Sequence, residues 1–319
     1  MATRYVDPGA QAGGDGTTPN LTGSTCAWQG LEEAVTALNA LGTLLESYTV
    51  YCATAGATNE DAAAAQVTLS VVTNGYTVTI IGEGAETPID TTKYYFTNTS
   101  SPSFKVTSSN VTVQDMQFLV TYAVTMESPQ SGGLFERCVS KSSLRWGFWM
   151  YDGTVRNCTA YECGRDGFIH SGTARTGTFH NCTAVSCGTE VGTYYGFVSS
   201  WGTMTCVNCL GWNNVDGDFG QDGNQTATNV SYCASDDSTA DNFTGSNNIV
   251  DISDPFVSVA GDDYHITSAG VTALVGQDLS GTFTTDIDGD TRANWAIGAD
   301  DGPAASSMVT IFCRGRLRW

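Results

Sequence analysis

Basic residues are scarce in this chain. Only 13 of its 319 residues are lysine or arginine, against 33 aspartates and glutamates, which gives a formal net charge of −20 at pH 7. A surface of that sign repels nucleic-acid phosphates and anionic lipid headgroups. We therefore expect neither a nucleic acid nor a membrane to be a partner.

Long apolar runs are also missing. The sequence has no stretch of about 18 apolar residues, so it predicts no helix that spans a membrane. The opening residues, MATRYVDPGAQAGGDG, are polar and glycine-rich and lack the apolar region of a secretory signal. We expect a protein that is not exported through such a signal.

Runs of Ala, Leu, Glu and Lys, which a helical repeat would need, are absent as well. Instead, VRNCTAYECGRDGF at 155–168 recurs as FHNCTAVSCGTEVGTYYGF at 179–197. Fainter copies are FERCV at 135–139, VNCLGWNNVDGDF at 207–219 and VSYCAS at 230–235. Self-similarity with a period of 20 to 50 residues is typical of stacked repeat architectures.

The repeat places the same residue types at regular intervals. One ladder has separations of 22, 20, 24, 27 and 24 positions and consists of Met116, Cys138, Cys158, Cys182, Cys209 and Cys233. A second ladder consists of Gly147-Phe148, Gly167-Phe168 and Gly196-Phe197, and continues to Phe219. Short alternating apolar segments between Gly and Asn turns at this period indicate strand-turn coils. The sequence therefore predicts an all-β fold, a right-handed parallel β-helix.

The eleven cysteines are an odd number, so at least one is unpaired in a monomer. Cysteines one coil apart would point inward and stack as small buried hydrophobes. The alternative is a disulfide scaffold or a metal site. Its best candidates are Cys158/Cys163, Cys182/Cys187 and the zinc-like spacing of Cys206-x-x-Cys209, which has no second pair.

The pattern divides the chain into three parts. They are a polar leader with a short capping helix at 1–47, the β-helix coils at 48–250, and an irregular closing segment with a basic aromatic tail at 251–319. Residues 25–46 have helical spacing, with Ser24 or Thr25 as the expected N-cap. The apolar positions are Trp28, Leu31, Val35, Leu38, Leu41 and Leu45. We expect this helix to cover the open end of the first coil.

Four sequence features resemble the pectate-lyase-like right-handed β-helix superfamily, of the kind found in bacteriophage particles and bacterial extracellular proteins. They are the x-N-C-x strand repeat, the Asp-Gly-Phe turn repeat, the closing DPFV…DYHI…DIDGDTR…AIGAD and the opening RYVDPGAQAGGDGTT…WQGLEEAV. The resemblance implies the fold. It leaves the function open, because such folds host lyases, hydrolases, adhesins and structural parts. Phage relatives also imply a homotrimer.

Catalysis in this superfamily requires particular residues. Polygalacturonase-like members need Gly-His-Gly and Arg-Ile-Lys, and both tripeptides are absent. Pectate-lyase-like members need a basic residue beside aspartates that hold Ca²⁺. The candidate acids are Asp152, Glu162, Asp166, Asp216, Asp218 and Asp222, with Arg165 and His170 as candidate bases. A hydrolase could use two of these acids about 5–9 Å apart, but Asp before Gly is also an ordinary turn residue.

A calcium site is the one cofactor that the sequence suggests. Asp286, Asp288 and Asp290 resemble the opening of a calcium loop, but the expected twelfth-position glutamate is replaced by Ile297. The alternative is a structural turn in which Arg292 pairs with an aspartate. We expect no other cofactor.

Aromatic residues are concentrated in the central coils. Strand alternation in WGFWMY predicts Trp146, Phe148 and Met150 on one face and Trp149 and Tyr151 on the other. An outward aromatic face on an acidic rod indicates an interaction surface suited to glycan stacking. The predicted binding residues are Trp149, Tyr151, Tyr194, Tyr195 and Trp212.

The last residues, VTIFCRGRLRW, differ in composition from the rest. The tail contains Arg314, Arg316, Arg318 and Trp319, which we expect to dock on an acidic viral shell or on sibling subunits. The favoured interpretation is a non-enzymatic structural or attachment protein on the surface of a bacteriophage particle, as a head decoration or tail appendage, with polysaccharide as a candidate ligand. The alternative is an extracellular or phage-borne polysaccharide lyase or glycoside hydrolase.

Overall fold

A computed structural model describes residues 1–54, 60–63, 65–98, 103–126, 132–221 and 225–302. Over these ranges the regular secondary structure is mostly short β-strands joined by turns. The strands are β1 Ala2–Val6, β2 Tyr48–Cys52, β3 Glu60–Ala62, β4 Val67–Leu69, β5 Val78–Ile81, β6 Tyr95–Asn98, β7 Phe104–Val106, β8 Val111–Gln114, β9 Gln117–Thr121, β10 Val124–Met126, β11 Leu134–Glu136, β12 Val139–Lys141, β13 Phe148–Met150, β14 Gly153–Arg156, β15 Thr159–Tyr161, β16 Phe168–His180, β17 Thr183–Val185, β18 Phe197–Val207, β19 Leu210–Trp212, β20 Phe219–Gln221, β21 Gln225–Ser231, β22 Phe256–Ser258 and β23 Asp263–Ile266. The helices are α1 Leu31–Ala40 and α2 Ser268–Ala273, with 3₁₀ turns at Thr239–Asn242 and Val259–Gly261.

Three parallel sheets form the sides of a coil. Sheet A contains β4, β7, β10, β13, β20 and the first halves of β16 and β18. Sheet B contains β1, β2, β5, β8, β11, β14, β21 and the second halves of β16 and β18. Sheet C contains β3, β6, β9, β12, β15, β17 and β19. From β2 to β21 each turn of the chain adds one strand to every sheet, and the predicted right-handed parallel β-helix is confirmed.

The phenylalanine ladder forms a stack inside the coil. Phe148, Phe168, Phe197 and Phe219 are in register on sheet A and are buried. Their rings lie 5.2, 4.8 and 5.1 Å apart, with interplanar angles of 11°, 6° and 10°. Parallel in-register strands bring identical side chains together in this way, and aromatic stacking adds to their burial.

The cysteines form a second internal ladder. Cys138, Cys158, Cys182, Cys209 and Cys233 are all buried at the start of successive sheet C strands. All ten cysteines of the described ranges are free thiols, so the alternative disulfides are wrong there. The cysteines of each candidate pair lie on opposite sides of a three-residue strand, β15 or β17, which alone spans roughly 10 Å, more than the roughly 7 Å limit for a disulfide. Cys313 lies outside the described residues.

Helix α1 is shorter than expected. It begins after Gly30 rather than after Ser24 or Thr25, and Leu41 and Leu45 lie beyond it, 48% and 83% exposed. Its first amide, at Leu31, donates a hydrogen bond of 2.6 Å to Asp61 Oδ2. The apolar face of α1 packs on β4, the terminal strand of sheet A, through Leu31, Ala34, Val35 and Leu38. No helix of the described residues is long and apolar enough to cross a membrane.

The segment that the sequence predicted to be a polar leader contains strand β1, which pairs in parallel with β2. Its residues ATRYV lack a clear apolar alternation, so the sequence pattern did not predict it.

The closing segment lies along the corner between sheets B and C. Asn157, Asn181 and Asn208 turn this corner with φ of 50°, 48° and 56° and are fully buried. The Asn157 amide donates to the Thr285 carbonyl at 2.7 Å, and the Asn208 amide to the Gln277 carbonyl at 2.8 Å. The coils and the closing segment are therefore joined by a row of buried amide hydrogen bonds.

Candidate functional site

The outer face of sheet A contains one row of in-register side chains. The row consists of Thr68, Lys105, Thr125, Trp149, Ile169, Val198 and Gly220. It contains neither a carboxylate nor an imidazole. Its one basic residue, Lys105, therefore has no carboxylate beside it in the row, and the row offers no pair of carboxyl groups for hydrolysis.

Three aromatic rings form a continuous group beside this row. The ring of Trp149 lies 4.6 Å from that of Trp146 and 5.3 Å from that of Tyr151, and all three are half-buried. The prediction that Trp146 lies opposite Trp149 is wrong. Strand β13 begins only at Phe148, so Trp146 belongs to the preceding turn, where the alternation of side chains along a strand does not apply.

Hydrogen bonds fix the orientation of both indoles. Trp149 Nε1 donates to Ser171 Oγ on the next coil, and Trp146 Nε1 donates to Asp166 Oδ2 at 3.1 Å. The ring faces are thus held in place by the polar edges, as is common for Trp with one apolar and one polar contact.

Two arginines flank Trp146. The Arg145 guanidinium lies 5.0 Å from the ring centre of Tyr122 and 5.7 Å from that of Trp146. The Arg165 guanidinium lies 5.1 Å from the centre of Trp146 and forms an ion pair with Glu190 at 2.8 Å. Arg145 forms no ion pair with any described residue. We call the group the aromatic–arginine surface; it consists of Tyr122, Arg145, Trp146, Trp149, Tyr151, Arg165 and Tyr194.

Two predicted binding residues are placed differently. The Tyr195 ring covers Gly220, where a Cβ atom would lie 2.2 Å from the ring, so it packs beside the surface. Trp212 is on sheet C and packs edge-to-face on Phe256 of the closing segment, with centroids 6.3 Å apart. Trp212 therefore does not join Trp149 and Tyr151, because the two sheets face different directions.

The candidate acids near the surface bind protein groups. Asp166 is 4% exposed and accepts from Trp146 Nε1 and from the Tyr195 amide. Asp216 accepts from the Tyr194 amide at 2.8 Å. Asp152 pairs with Arg175 at 3.4 Å. These carboxylates hold turns, which was the alternative interpretation of the Asp-Gly pattern.

Glu162 lies on the sheet C side of the coil. It turns the backbone with φ of 54°, accepts from Ser142 Oγ at 3.1 Å and lies 3.8 Å from Lys141 Nζ. Asp222 lies outside the described residues.

The pKa of Asp218 would suit a general acid, but its carboxyl group is inaccessible to a substrate. Burial raises its pKa to about 8, with the neighbouring Asp236 adding to the effect. Its oxygens accept from Asn214 Nδ2 at 2.7 Å and from the Asp236 amide at 2.9 Å. Because the side chain is fully buried, no substrate can reach it.

His170 is also inaccessible. It points into the coil, in register with the inward Met150, and has no exposed surface. Burial lowers its pKa. The structure therefore gives no support to His170 as a surface base, which was one of the sequence-based hypotheses.

The candidate calcium residues form an acidic turn. Asp286 Oδ1 accepts from the amides of Asp288 and Asp290 at 3.1 and 2.9 Å. Carboxylate oxygens of Asp286, Asp288 and Asp300 lie within 4.8 Å of one another, whereas Asp290 is not part of that group. Asp286 and Asp288 of the predicted set, together with Asp300, thus form one of two carboxylate groups among the described residues that could hold Ca²⁺; the other consists of Asp218, Asp236 and Asp237.

A histidine cation already contacts this group. His265 Nδ1 lies 2.6 Å from Asp263 Oδ1, and Nε2 lies 3.1 Å from Asp288 Oδ2. These contacts, led by the Asp288 hydrogen bond, raise the pKa of His265 to about 10. The imidazolium therefore neutralises part of the negative charge that would attract a metal.

Arg292 is part of the closing segment's core. Its guanidinium donates to Asn157 Oδ1 at 2.8 Å and to the Gly298 carbonyl at 3.0 Å, and lies 3.7 Å from Asp301. The expected pairing of Arg292 with an aspartate is present, although most of its hydrogen bonds go to carbonyl groups. The docking tail at Arg314, Arg316, Arg318 and Trp319 lies outside the described residues.

No family model and no curated protein matches the chain. Among solved structures, a rhamnogalacturonan lyase superimposes with a TM-score of 0.51 at 14% identity, over 73% of this chain and 68% of that chain. A pectate lyase superimposes with a TM-score of 0.45 at 12% identity, over 97% and 90%. At this identity the likeness to the first structure concerns the fold. The chain thus has the right-handed parallel β-helix fold.

Proposed function

We propose that the protein binds an extended polysaccharide through the aromatic–arginine surface and acts as a non-enzymatic attachment protein. The observation that supports this most directly is the outward group of Trp146, Trp149 and Tyr151, with ring separations of 4.6 and 5.3 Å. Sugar rings present apolar C–H faces that pack on aromatic faces, while their hydroxyl groups need polar neighbours. Arg145 and Arg165 supply such neighbours at the edge of the aromatic group.

The engagement of the nearby acids supports binding without catalysis. Glycoside hydrolysis requires two available carboxyl groups about 5–9 Å apart. Asp166 and Asp218 are buried and hydrogen-bonded within the protein, and Asp216 bonds a turn amide. A depolymerase remains the second candidate, because a solved protein with this fold is a rhamnogalacturonan lyase.

We further propose that the protein is located on the surface of a bacteriophage particle, as a head decoration or tail appendage, with an extracellular location as the alternative. The acidic composition and the basic tail at Arg314, Arg316 and Arg318 support docking on another acidic protein or on sibling subunits of a homotrimer. Opposite charges on two surfaces favour their association.

The binding function is tested with a panel of neutral and anionic polysaccharides. We expect wild-type protein to bind at least one of them, and Trp149→Ala to weaken that binding about tenfold or more, since losing an aromatic contact of about 1.4 kcal/mol has that effect. Tyr76→Ala is the matched control, because Tyr76 is an exposed aromatic residue in a turn between β4 and β5. It should bind like wild type.

Three results would contradict the proposal. The first is wild-type protein that binds none of the polysaccharides, and the second is a Trp149→Ala variant that binds unchanged. The third is release of reducing ends or unsaturated sugar ends by wild-type protein, which would establish the depolymerase instead.

A further inference from the structure

His170 lies inside the coil, and neither nitrogen of its ring makes a well-formed hydrogen bond with a described residue. It is in register with Met150 of the preceding coil and Ser199 of the next. The carbonyl groups of Tyr151 and Trp201 act on the ring without meeting full hydrogen-bond geometry, and the buried Ser199 Oγ lacks a partner among the described residues. Buried polar groups without well-formed hydrogen bonds are rare in folded proteins, so this pair is an exception that needs a physical account.

Glycine backbone encloses the imidazole at the corner between sheets A and B. A Cβ atom at Gly177 would lie 2.5 Å from His170 Cδ2, and one at Gly202 would lie 2.9 Å from Cε1. No side chain fits at either position, so the imidazole packs in this corner only because both residues are glycine. A larger or solvated form of the ring would have to displace backbone.

The surroundings of the ring do not stabilise a positive charge. On β13 and β18 the inward neighbours are Met150, Ser199 and Met204, which are uncharged. The charged group that acts on the ring is Asp152, which pairs with Arg175 at 3.4 Å. The Asp152 charge and the carbonyl groups of Tyr151 and Trp201 favour the protonated ring, but the effect of burial is larger.

The same corner supports the aromatic–arginine surface. Ser171, the residue after His170, accepts the hydrogen bond that orients the Trp149 indole. Ser171 pairs with Trp201, which is 44% exposed and directly precedes Gly202. A backbone shift at His170 would therefore move the anchor of Trp149 together with Trp201.

We propose that His170 is an acid sensor, whose protonation opens the corner at residues 170–177 and 199–203 and thereby releases a polysaccharide from the aromatic–arginine surface. The release step rests on the proposed binding function, whereas the opening of the corner does not. Because burial lowers the pKa of His170 in the folded protein, its contribution to stability is complete above the ordinary value of about 6.5. The contribution is lost as the pH falls below that value.

The opening is tested by nuclear magnetic resonance and hydrogen exchange on the full-length protein. With three histidines in the chain, the His170 ring signal is assignable by comparison with His170→Met. We expect it to titrate below about pH 6.5, together with shifts of the Trp149 and Trp201 indole signals. Amides of β16 and β18 should exchange at least about tenfold faster at about pH 5 than at about pH 7.5, after correction for the intrinsic rate.

His170→Met gives the internal control, because Met150 already occupies the equivalent position one coil below. This variant should show the same corrected exchange at both pH values, whereas His180→Met should keep the wild-type response. A His170 signal that titrates at or above about pH 6.5, or wild-type exchange that does not change with pH, would overturn the sensor. If His170→Met does not fold, the wild-type titration decides alone.

The release step has its own measurement. Polysaccharide binding by wild-type protein should weaken about tenfold or more between about pH 7.5 and about pH 5, and binding by His170→Met should not. Binding that is equal at both pH values, with the corner opening as expected, would overturn the release step only. Absence of any polysaccharide binding would overturn the proposed function and leave the corner opening to be judged by exchange.

Discussion

Single asparagines control how the coil turns from sheet B to sheet C. Asn157, Asn181 and Asn208 adopt the left-handed conformation, which asparagine tolerates better than most residues because its side chain bonds locally. Each precedes a buried cysteine, so the recurrent Asn-Cys pair in the sequence combines a turn residue with a core residue. The turn residue also binds the closing segment, which local sequence does not reveal.

Asn181 separates these two roles experimentally. Asn181→Gly keeps an easy left-handed turn but loses the hydrogen bonds from Nδ2 to the carbonyls of Ala296 and Gly298. Asn181→Ala loses both the bonds and the conformational tolerance. In urea denaturation we expect Asn181→Gly to lower the free energy of unfolding by about 2 kcal/mol and Asn181→Ala by about 1 kcal/mol more. Equal losses in the two variants would show that backbone conformation contributes nothing.

At the scale of elements, helix α1 depends on a residue far along the chain. Its N-terminus has no side-chain cap of its own; the Leu31 amide donates instead to Asp61, which also accepts from the Tyr94 hydroxyl. Gly30 permits this approach, because a Cβ atom there would lie 2.7 Å from Asp61 Oδ1. One buried carboxylate thus joins the N-terminus of the helix that covers β4 to the coils.

Asp61→Ala should loosen this covering helix. It leaves the Leu31 amide and the buried Tyr94 hydroxyl without an acceptor, and we expect a loss of about 2 kcal/mol in the free energy of unfolding. Exposed strand edges promote association, so light scattering should also detect higher oligomers. Asp15→Ala is the control, because the Asp15 carboxylate is exposed and bonds only Thr17; it should remain like wild type.

The elements that sequence alone predicts well are those with repeated register. The Phe and Cys ladders were predicted correctly because in-register stacking repeats one residue type at one inward position. The helix start, strand β1 and the outward position of Trp146 were not. The helix start depends on Asp61, and β1 depends on pairing with β2; both are distant in sequence.

The candidate site was predictable only in part. Trp149 and Tyr151 follow from strand alternation, and the structure brings them together. The contribution of Arg145 was missed, because stacking on Tyr122 of another coil leaves no signal in the sequence around it. Trp212 was grouped wrongly, since composition does not tell which of three sheets a residue occupies.

For the molecule as a whole, an acidic chain contains a few groups that bind protons more tightly when folded. Burial raises the pKa of Asp218 to about 8, and contacts with Asp288 and Asp263 raise that of His265 to about 10. A group with a raised pKa stabilises the fold below its unfolded value, and this contribution is lost as the pH rises through the folded value. Both groups therefore make the protein less stable in alkali.

Asp218→Asn tests this dependence. Between about pH 5 and pH 9 we expect wild-type protein to lose on the order of 2 kcal/mol more unfolding free energy than the variant, because only wild type must ionise a buried carboxyl group. Urea denaturation at a series of pH values measures the difference. Asp216→Asn, two residues away and exposed, should follow the wild-type curve. Parallel curves for wild type and Asp218→Asn would contradict the assignment.

The row of stacked cysteines makes folding of the newly made chain dependent on reducing conditions. Before the coils close, thiols that end up one above another are exposed on a single mobile chain, and an oxidant would couple them in wrong combinations. We expect the polypeptide to complete its folding among reductants such as glutathione and to tolerate air only afterwards, when its sulfur atoms are sealed from solvent.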